Sequence, residues 1–134
     1  MEQESYYTLD HHLRSALHLT TTPSLGPATR YGSTVLATYL HHSEGIYFRS
    51  AINGENEFTK VFPLPPVNQW TDIEVAQKHV DNKFIYSISI GGDQVFEVEN
   101  QDPKDFFNVS VFSSNPWSFA AQNGKIRDLK IITN

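Results

Sequence analysis

Hydrophobic and polar residues alternate with a period of two through most of the C-terminal half of the chain. Segments such as WTDIEVAQ, KFIYSISI and QVFEVEN place apolar residues two apart, and the turn sequences GGD, NQDPKD and SSNPW separate such segments. Successive side chains of a β-strand point to opposite faces, so this alternation is typical of strands that bury one face. No stretch carries the apolar period of a helix. The pattern predicts an all-β fold, an antiparallel β-sandwich or barrel.

Strand and turn signals divide the chain into about ten strands. The longest gap between them, TTPSLGPATRYGS, is rich in proline, glycine and hydroxyl residues and is predicted to be a loop within the domain. No linker or repeat interrupts the pattern, so residues 1–134 are predicted to form a single domain. The predicted strands are Ser5–Leu9, Ser15–Thr20, Thr34–Leu40, Ile46–Ile52, Glu57–Phe62, Trp70–Gln77, Lys83–Ile90, Gln94–Asn100, Phe107–Phe112 and Lys125–Ile132.

The parity of the alternation assigns residues to a core face or an outer face. The predicted core consists of Leu17, Leu19, Ile46, Phe48, Ile73, Val75, Phe84, Tyr86, Ile88, Ile90, Phe96, Val98, Val109, Val111, Leu129 and Ile131. The predicted outer face mixes polar and aromatic groups, namely Ala16, His18, Tyr47, Arg49, Asp72, Glu74, Ser87, Ser89, Glu97, Glu99, Asn108, Ser110 and Phe112.

Composition narrows the class of protein. A chain of 134 residues with nine Phe, six Tyr and two Trp can bury a core without disulfides, and it contains no cysteine. Its formal charge of -5 and its scattered basic residues offer no stripe for phosphates, which argues against nucleic-acid binding. No apolar run approaches the roughly 18 residues of a membrane span. Small all-β domains of this kind more often bind a ligand than transform one, so we expect no enzyme.

The second half of the chain contains the segments WTDIEV, YSISIGGDQV and GKIRDL in this order. Through them it resembles a concanavalin A-like jelly roll of the laminin G or lectin type. In that family a W-x-x-I/V-x-V strand leads into a Y-x-I-x-I/V-x-G-x-x-V/I hairpin, and a G-x-I-R/D-x-L/I strand comes last. SALHLT, TVLATYL and GIYFRSAING fit the earlier strands in order. The matching positions are Trp70, Ile73 and Val75, then Tyr86, Ile88, Ile90, Gly92 and Val95, then Gly124, Ile126, Asp128 and Leu129.

The resemblance implies a two-sheet sandwich that recognises glycans or proteins, as one module of a larger extracellular protein. Galectins share this architecture, but their H-x-N-x-R and W-x-x-E-x-R strands have no counterpart here. The first residues, MEQESYY, lack the basic and apolar regions of a signal peptide, so a cytosolic protein and a module of a secreted one both stay open. A structural module that associates with copies of itself is the alternative function.

Four residues are the candidates for ligand binding. Sugars bind through an aromatic ring on their apolar face and through polar groups that reach their hydroxyls. Asn115 and Trp117, on the predicted loop after Phe112, form such a pair, and Tyr47 and Arg49 form another on a predicted strand. The structural alternative is that Asn115 starts a turn and Trp117 folds back over the end of the sandwich.

A glycoside hydrolase is a further alternative, because Asp72 and Glu74 lie two apart on a predicted strand. Their carboxylates would emerge on one face about 7 Å apart, within the range that glycosidases use. Some glucanases with the concanavalin A-like sandwich carry three acids on such a strand, however, and Gln77 stands where a third is wanted. A solvated strand face explains the pair as well.

Metal binding has two sets of candidates. Asn53–Glu57 and Asn100–Asp105 could supply oxygen ligands to calcium, but turn formation explains the same residues and no regular ligand spacing is present. The pairs His11-His12 and His41-His42 would each give one ligand, because neighbouring residues of a strand point to opposite faces. The sequence therefore predicts no cofactor, with calcium as the alternative.

One modification signal is present. Asn108-Val109-Ser110 matches the acceptor sequence for N-linked glycosylation. Parity places Asn108 on the outer face, so the sequence predicts modification if the chain is secreted.

Overall fold

The computed structural model describes residues 14–23, 31–113, 119–120 and 125–131. These residues contain nine β-strands and no helix, and hence no helix in them that could span a membrane. The strands are β1 (Arg14–Thr20), β2 (Leu36–His41), β3 (Gly45–Ile52), β4 (Glu55–Phe62), β5 (Ile73–Val80), β6 (Lys83–Ile90), β7 (Asp93–Glu99), β8 (Ser110–Phe112) and β9 (Phe119–Ala120).

The strands form two sheets. The larger sheet has the order β4-β3-β2-β1-β8 with antiparallel pairing, and β9 adds to β1 in parallel. The smaller sheet is the antiparallel meander β5-β6-β7. Buried residues of β3 and β6 meet in one core, so the sheets pack face to face. The prediction of an all-β, two-sheet sandwich is confirmed.

Three of the hairpins turn on two residues that both have positive φ. The turn pairs are Asn53-Gly54 (52° and 77°), Asp81-Asn82 (51° and 63°) and Gly91-Gly92 (63° and 87°). Type I′ turns need this conformation, and their twist matches that of the flanking strands. Glycine and asparagine adopt it at the lowest cost. The turn residues thus fix the register of three hairpins: β3 with β4, β5 with β6, and β6 with β7.

The core lies between β3–β4 and the smaller sheet. Ile46, Phe48 and Ile52 of β3 meet Tyr86 and Ile88 of β6, and all five are buried. The predicted core positions Leu19, Ile46, Phe48, Tyr86 and Ile88 are therefore confirmed. Aromatic side chains complete the contact, since the ring of Phe58 lies 6.4 Å from that of Tyr86 and 5.8 Å from that of Phe96.

The predicted last strand is wrong over the described residues. Residues 125–131 form no strand, and Leu129 and Ile131 are 50% and 53% exposed. Ile73 and Val111, also predicted for the core, are both 43% exposed. Ile73 lies on β5, an edge strand that pairs only with β6 among the described strands, so one side of it has no neighbouring strand. Alternation makes a residue suitable for burial, but burial also requires a facing layer.

Two residues predicted for the outer face are buried instead. His18 is fully buried because the Tyr31–Val35 segment runs beside the end of β1, where the N–H of Thr21 donates to the carbonyl of Gly32 at 3.0 Å. Ser87 is 8% exposed because it lies on β6, the central strand, between Ala76 and Glu97 of the two neighbours. The alternation along each strand predicted the correct face for both residues, but it did not predict that they are buried.

Strand boundaries differ from the prediction by a few residues. The bounds of β6 agree at both ends, whereas β5 begins at Ile73 rather than Trp70 and β8 begins at Ser110 rather than Phe107. The predicted strand Ser5–Leu9 lies outside the described residues.

Candidate functional site

Tyr47 and Arg49 lie together on the outer face of the larger sheet, the face turned away from the smaller sheet. Both belong to β3, whose Ile46 and Phe48 point into the core, so residues 47 and 49 share the opposite face. Tyr39 of β2 lies directly opposite Tyr47 in the antiparallel register. The guanidinium carbon of Arg49 is 5.1 Å from the ring centroid of Tyr39 and 5.8 Å from that of Tyr47. We call Tyr39, Tyr47 and Arg49 the arginine patch.

Glu44 extends the patch on the side of the β2–β3 turn. The hydroxyl of Tyr47 donates to the carboxylate of Glu44, and this hydrogen bond raises the pKa of Tyr47 above its ordinary value. The turn is ordered by His41, whose Nδ1 accepts the backbone N–H groups of Ser43 and Glu44 at 3.2 and 3.1 Å. The exposed rim of the patch therefore offers a carboxylate next to an aromatic ring.

His18 of β1 lies beside Tyr39 on the same face of the larger sheet. Its Nε2 lies 3.0 Å from the carbonyl of Ser33, and its Nδ1 lies 3.3 Å from the hydroxyl of Tyr39. A carbonyl only accepts, so Nε2 carries the proton, and Nδ1 of the neutral ring accepts from Tyr39. Burial lowers the pKa of His18, and the positive charge of Arg49 acts in the same direction. The neutral ring thus fixes the position of Tyr39.

Arg49 is surrounded by aromatic rings rather than by described acids. The residue is partly buried, and its Nε is enclosed without a hydrogen-bond partner. Among the described residues no carboxylate lies within ion-pair distance of its guanidinium, and its contacts there are with the tyrosine rings. The negative faces of the rings attract the guanidinium. They do not replace the hydrogen bonds that its N–H groups would make with water.

The sequence prediction found part of this site. It proposed Tyr47 and Arg49, which the structure brings together, and it missed Tyr39 and His18. A signal for Tyr39 was present, since a short turn after His41 would place Tyr39 opposite Tyr47. Asn115 and Trp117 lie outside the described residues, so their proximity to the patch stays a prediction.

Asp72 and Glu74 occupy an open surface. Both are exposed, and Glu74 faces Ser89 of β6 across the ladder. The backbone carbonyl of Asp72 accepts the N–H of Gly91 at 2.8 Å. Hydrolysis of a glycoside needs two carboxylates on either side of a sugar from which bulk water is excluded, and an exposed strand face does not enclose a sugar in that way.

The proposed calcium loops use their oxygens internally. Oδ1 of Asn53 accepts the N–H of Gln101 at 2.7 Å, and Oδ1 of Asn100 accepts the N–H groups of Asn53 and Asp102 at 3.1 and 3.2 Å. Asp102 also pairs with Lys104 at 2.9 Å. These contacts give the loops a structural explanation that needs no ion.

The histidine pairs do not form a metal site in the described structure. The rings of His41 and His42 stack at 4.7 Å, because His42 lies in the turn after β2 rather than on the strand. The expectation that they point to opposite faces is therefore wrong. His11 and His12 lie outside the described residues. Within the described ranges, no group of three His, Asp or Glu side chains is placed to hold a metal.

A cleft of about 280 Å³ opens between the sheets at the β2–β5 side. Its apolar lining includes Leu36, Ile52 and Val75. Ser50 and Tyr86 also line it, and their hydroxyls are hydrogen-bonded to each other at 2.6 Å. The lining also includes Lys104, Lys130, Gln77 and Asn100, of which the last two are hydrogen-bonded to each other at 2.7 Å.

Comparison with protein-family models, with curated proteins and with solved structures gives no match for this chain. Its function must therefore be inferred from its own residues and their arrangement.

Proposed function

We propose that this chain is a non-catalytic recognition module that binds carbohydrate through the arginine patch. The observation that carries the proposal is the position of Arg49 beside the rings of Tyr39 and Tyr47, with Glu44 at the rim. Tyr39 is 4% exposed, so the accessible ring is that of Tyr47. This ring, the guanidinium and the carboxylate are a stacking face, donors and an acceptor of the kind that a sugar uses.

The fold that we propose for this module is the concanavalin A-like jelly roll. The two-sheet sandwich and the family-like positions Tyr86, Ile88, Ile90 and Gly92 in the β6–β7 hairpin support it. In this proposal the module acts outside the cell, as part of a larger protein. Asn115 and Trp117 would extend the binding surface.

A glycan array tests the proposal. Wild type, Tyr47→Ala and Trp117→Ala are applied to a diverse immobilised panel, with calcium and again with chelator. We expect selective binding by wild type that Tyr47→Ala loses. Phe107→Ala is the matched control, because Phe107 is 74% exposed and lies outside the patch. Thermal unfolding verifies that each variant is folded.

The array also separates this proposal from a protein-binding role. A blank array for folded wild-type protein would overturn carbohydrate recognition and direct the search to protein partners. Binding that Tyr47→Ala retains would show a lectin whose site lies elsewhere, and loss in Trp117→Ala alone would place it at the predicted loop of Asn115 and Trp117.

Self-assembly is the second candidate, and the open edge of β5 favours it. Among the described strands β5 pairs only with β6, and apolar groups stand near this edge, with Trp70 50% and Ile73 43% exposed. Unpaired edge strands are common sites of association between chains. Light scattering at several concentrations would show a rising mass in wild type, and Ile73→Lys should lower it, since an inward charge blocks edge pairing.

A further inference from the structure

The guanidinium of Arg49 is a partly enclosed cation to which the described residues bring no counter-ion. Its Nε is buried without a hydrogen-bond partner, and the described part of the chain brings no carboxylate within 4.0 Å of it. Buried charges in proteins are normally paired, because leaving water costs free energy that only a partner returns. The described residues give the enclosed Nε of Arg49 no acceptor, and such a donor is normally satisfied by water or by another polar group.

The acids around the patch do not fill this role. Glu44 accepts the hydroxyl of Tyr47 and lies near His41, with 3.9 Å between Oε1 and Nδ1. Glu57 is close enough to influence His18 electrostatically but forms no ion pair with Arg49. Burial is the largest cause of the lowered pKa of His18 and favours its neutral ring. Among the acids that the structure describes, none therefore pairs with Arg49.

Other cations of the chain show what a paired environment looks like. Lys104 has Asp102 at 2.9 Å. Arg127 stacks on the ring of Trp70 at 4.1 Å, as Arg49 does on its tyrosines, but it also has the carboxylate of Asp128 at 3.7 Å. Arg127 is moreover exposed, whereas Arg49 is partly buried. Lys60 is also partly buried, lies 4.6 Å from the ring of Phe96 and has no described carboxylate within 4.0 Å. Arg49 differs from Lys60 in having an enclosed Nε without a described acceptor.

We infer that Arg49 binds an anionic substituent, a carboxylate or a sulfate, on an acidic glycan. This inference rests on the proposed function, because it names the class of sugar that the arginine patch selects. The planar guanidinium matches the two oxygens of either group, and contact with the rings of Tyr39 and Tyr47 limits its orientations before the ligand arrives. The ring of Tyr47 then lies beside the sugar that carries the charge.

Paired ligands test the inference. One pair is a uronic-acid oligosaccharide and its carboxyl-reduced form, and the other is a sulfated oligosaccharide and its desulfated form. Binding is measured by calorimetry for wild type, Arg49→Met, Arg49→Lys and the matched control Arg127→Met. We expect wild type to bind at least one acidic ligand about tenfold or more tightly than its neutral partner, as a charge-assisted pair would give.

The variants at position 49 should distinguish the effect of the positive charge on binding from the effect of the planar guanidinium. Arg49→Met should bind acidic and neutral partners equally. Arg49→Lys should retain part of the preference, because an ammonium supplies the charge but not the two parallel hydrogen bonds of a guanidinium. Arg127→Met should behave as wild type. Added salt should weaken binding of the acidic ligand to wild type more than to Arg49→Met. Thermal unfolding confirms that both variants at position 49 remain folded.

The possible failures are distinguishable. Equal binding of acidic and neutral partners by wild type, or a preference that Arg49→Met retains, overturns the inference and leaves carbohydrate recognition standing. No binding to any member of either pair, together with a blank array, overturns the proposed function and this inference with it. A preference in one pair only supports the inference and identifies the carboxylate or the sulfate as the group bound.

Discussion

Asn53 and Asn100 connect the two sheets at one end of the sandwich. The backbone N–H of Asn53, in the β3–β4 turn, donates to Oδ1 of Asn100, which follows β7, at 3.1 Å. In return, Nδ2 of Asn53 donates to the carbonyl of Glu99 at 3.1 Å, and its Oδ1 accepts the N–H of Gln101. Nδ2 of Asn100 reaches Gln77 of β5 at 2.7 Å. One pair of amides therefore links three strands of the fold.

Replacement of Asn100 by alanine should destabilise the protein. Asn100 is 4% exposed, and its loss would leave the N–H groups of Asn53 and Asp102 without their acceptor. We expect the free energy of unfolding to fall by about 1–3 kcal/mol, measured by denaturant titration. Gln94→Ala is the control, because Gln94 makes its hydrogen bond to Glu97 at an exposed site. Equal losses in the two variants would contradict a special role for Asn100.

Truncation of Ile88 and of Ile73 should have very different effects. Both are isoleucines of the smaller sheet predicted for the core, but Ile88 is fully buried and Ile73 is 43% exposed. Ile88→Ala should reduce the free energy of unfolding by about 2–5 kcal/mol through lost burial and a cavity. Ile73→Ala should cost less than about 1.5 kcal/mol, since part of its surface already contacts water. Similar losses would show that Ile73 is covered in solution.

His18 should make stability depend on pH in a defined direction. Burial lowers its pKa from 6.5, so between 6.5 and the lower folded value the unfolded chain binds more protons than the folded one. Stability contributed by the neutral ring is present above pH 6.5 and is lost as the pH falls through the folded pKa. Denaturant midpoints for wild type should therefore decrease as the pH falls from 7.5 towards 5.

The variant His18→Gln should flatten that decrease. Its stability at pH 7.5 should be lower by about 1–3 kcal/mol, because the contacts with Ser33 and Tyr39 are disturbed. His79→Gln is the matched control, since His79 is exposed and stacks on Phe84, and it should keep the wild-type slope. A slope that is unchanged in His18→Gln would mean that another group causes the acid sensitivity.

Local signals explain which elements the sequence predicted well. β6 was predicted with correct ends because Asp81-Asn82 and Gly91-Gly92 form the type I′ turns on either side of it. Segment 125–131 has a similar alternation but belongs to no described hairpin, and a strand also requires a partner edge, which is often distant in sequence. Pairing of distant segments depends on the whole fold, so alternation alone does not determine it.

The residues of the candidate site likewise fall into those that local sequence predicts and those that depend on the whole fold. Tyr47 and Arg49 were paired correctly because residues two apart on a strand always share a face. Tyr39 enters through the register of a neighbouring strand, and His18 enters through Tyr31–Val35, a segment that carries no alternating pattern. That no described carboxylate lies within 4.0 Å of the Arg49 guanidinium depends on where the acids of several strands and turns lie. Such an absence follows only from three-dimensional positions.

Asn108 should carry an N-linked glycan when the chain passes through a secretory pathway. It is exposed, has a φ of 54° in the bend before β8, and lies next to Phe107, which is 74% exposed. A sugar attached there would cover apolar surface that water otherwise meets. Secreted protein should lose mass on treatment with a peptide N-glycosidase, whereas Asn108→Gln and Ser110→Ala should not. Secreted wild type of unmodified mass would refute the prediction, and Val109→Ala, which preserves the acceptor sequence, should be modified like wild type.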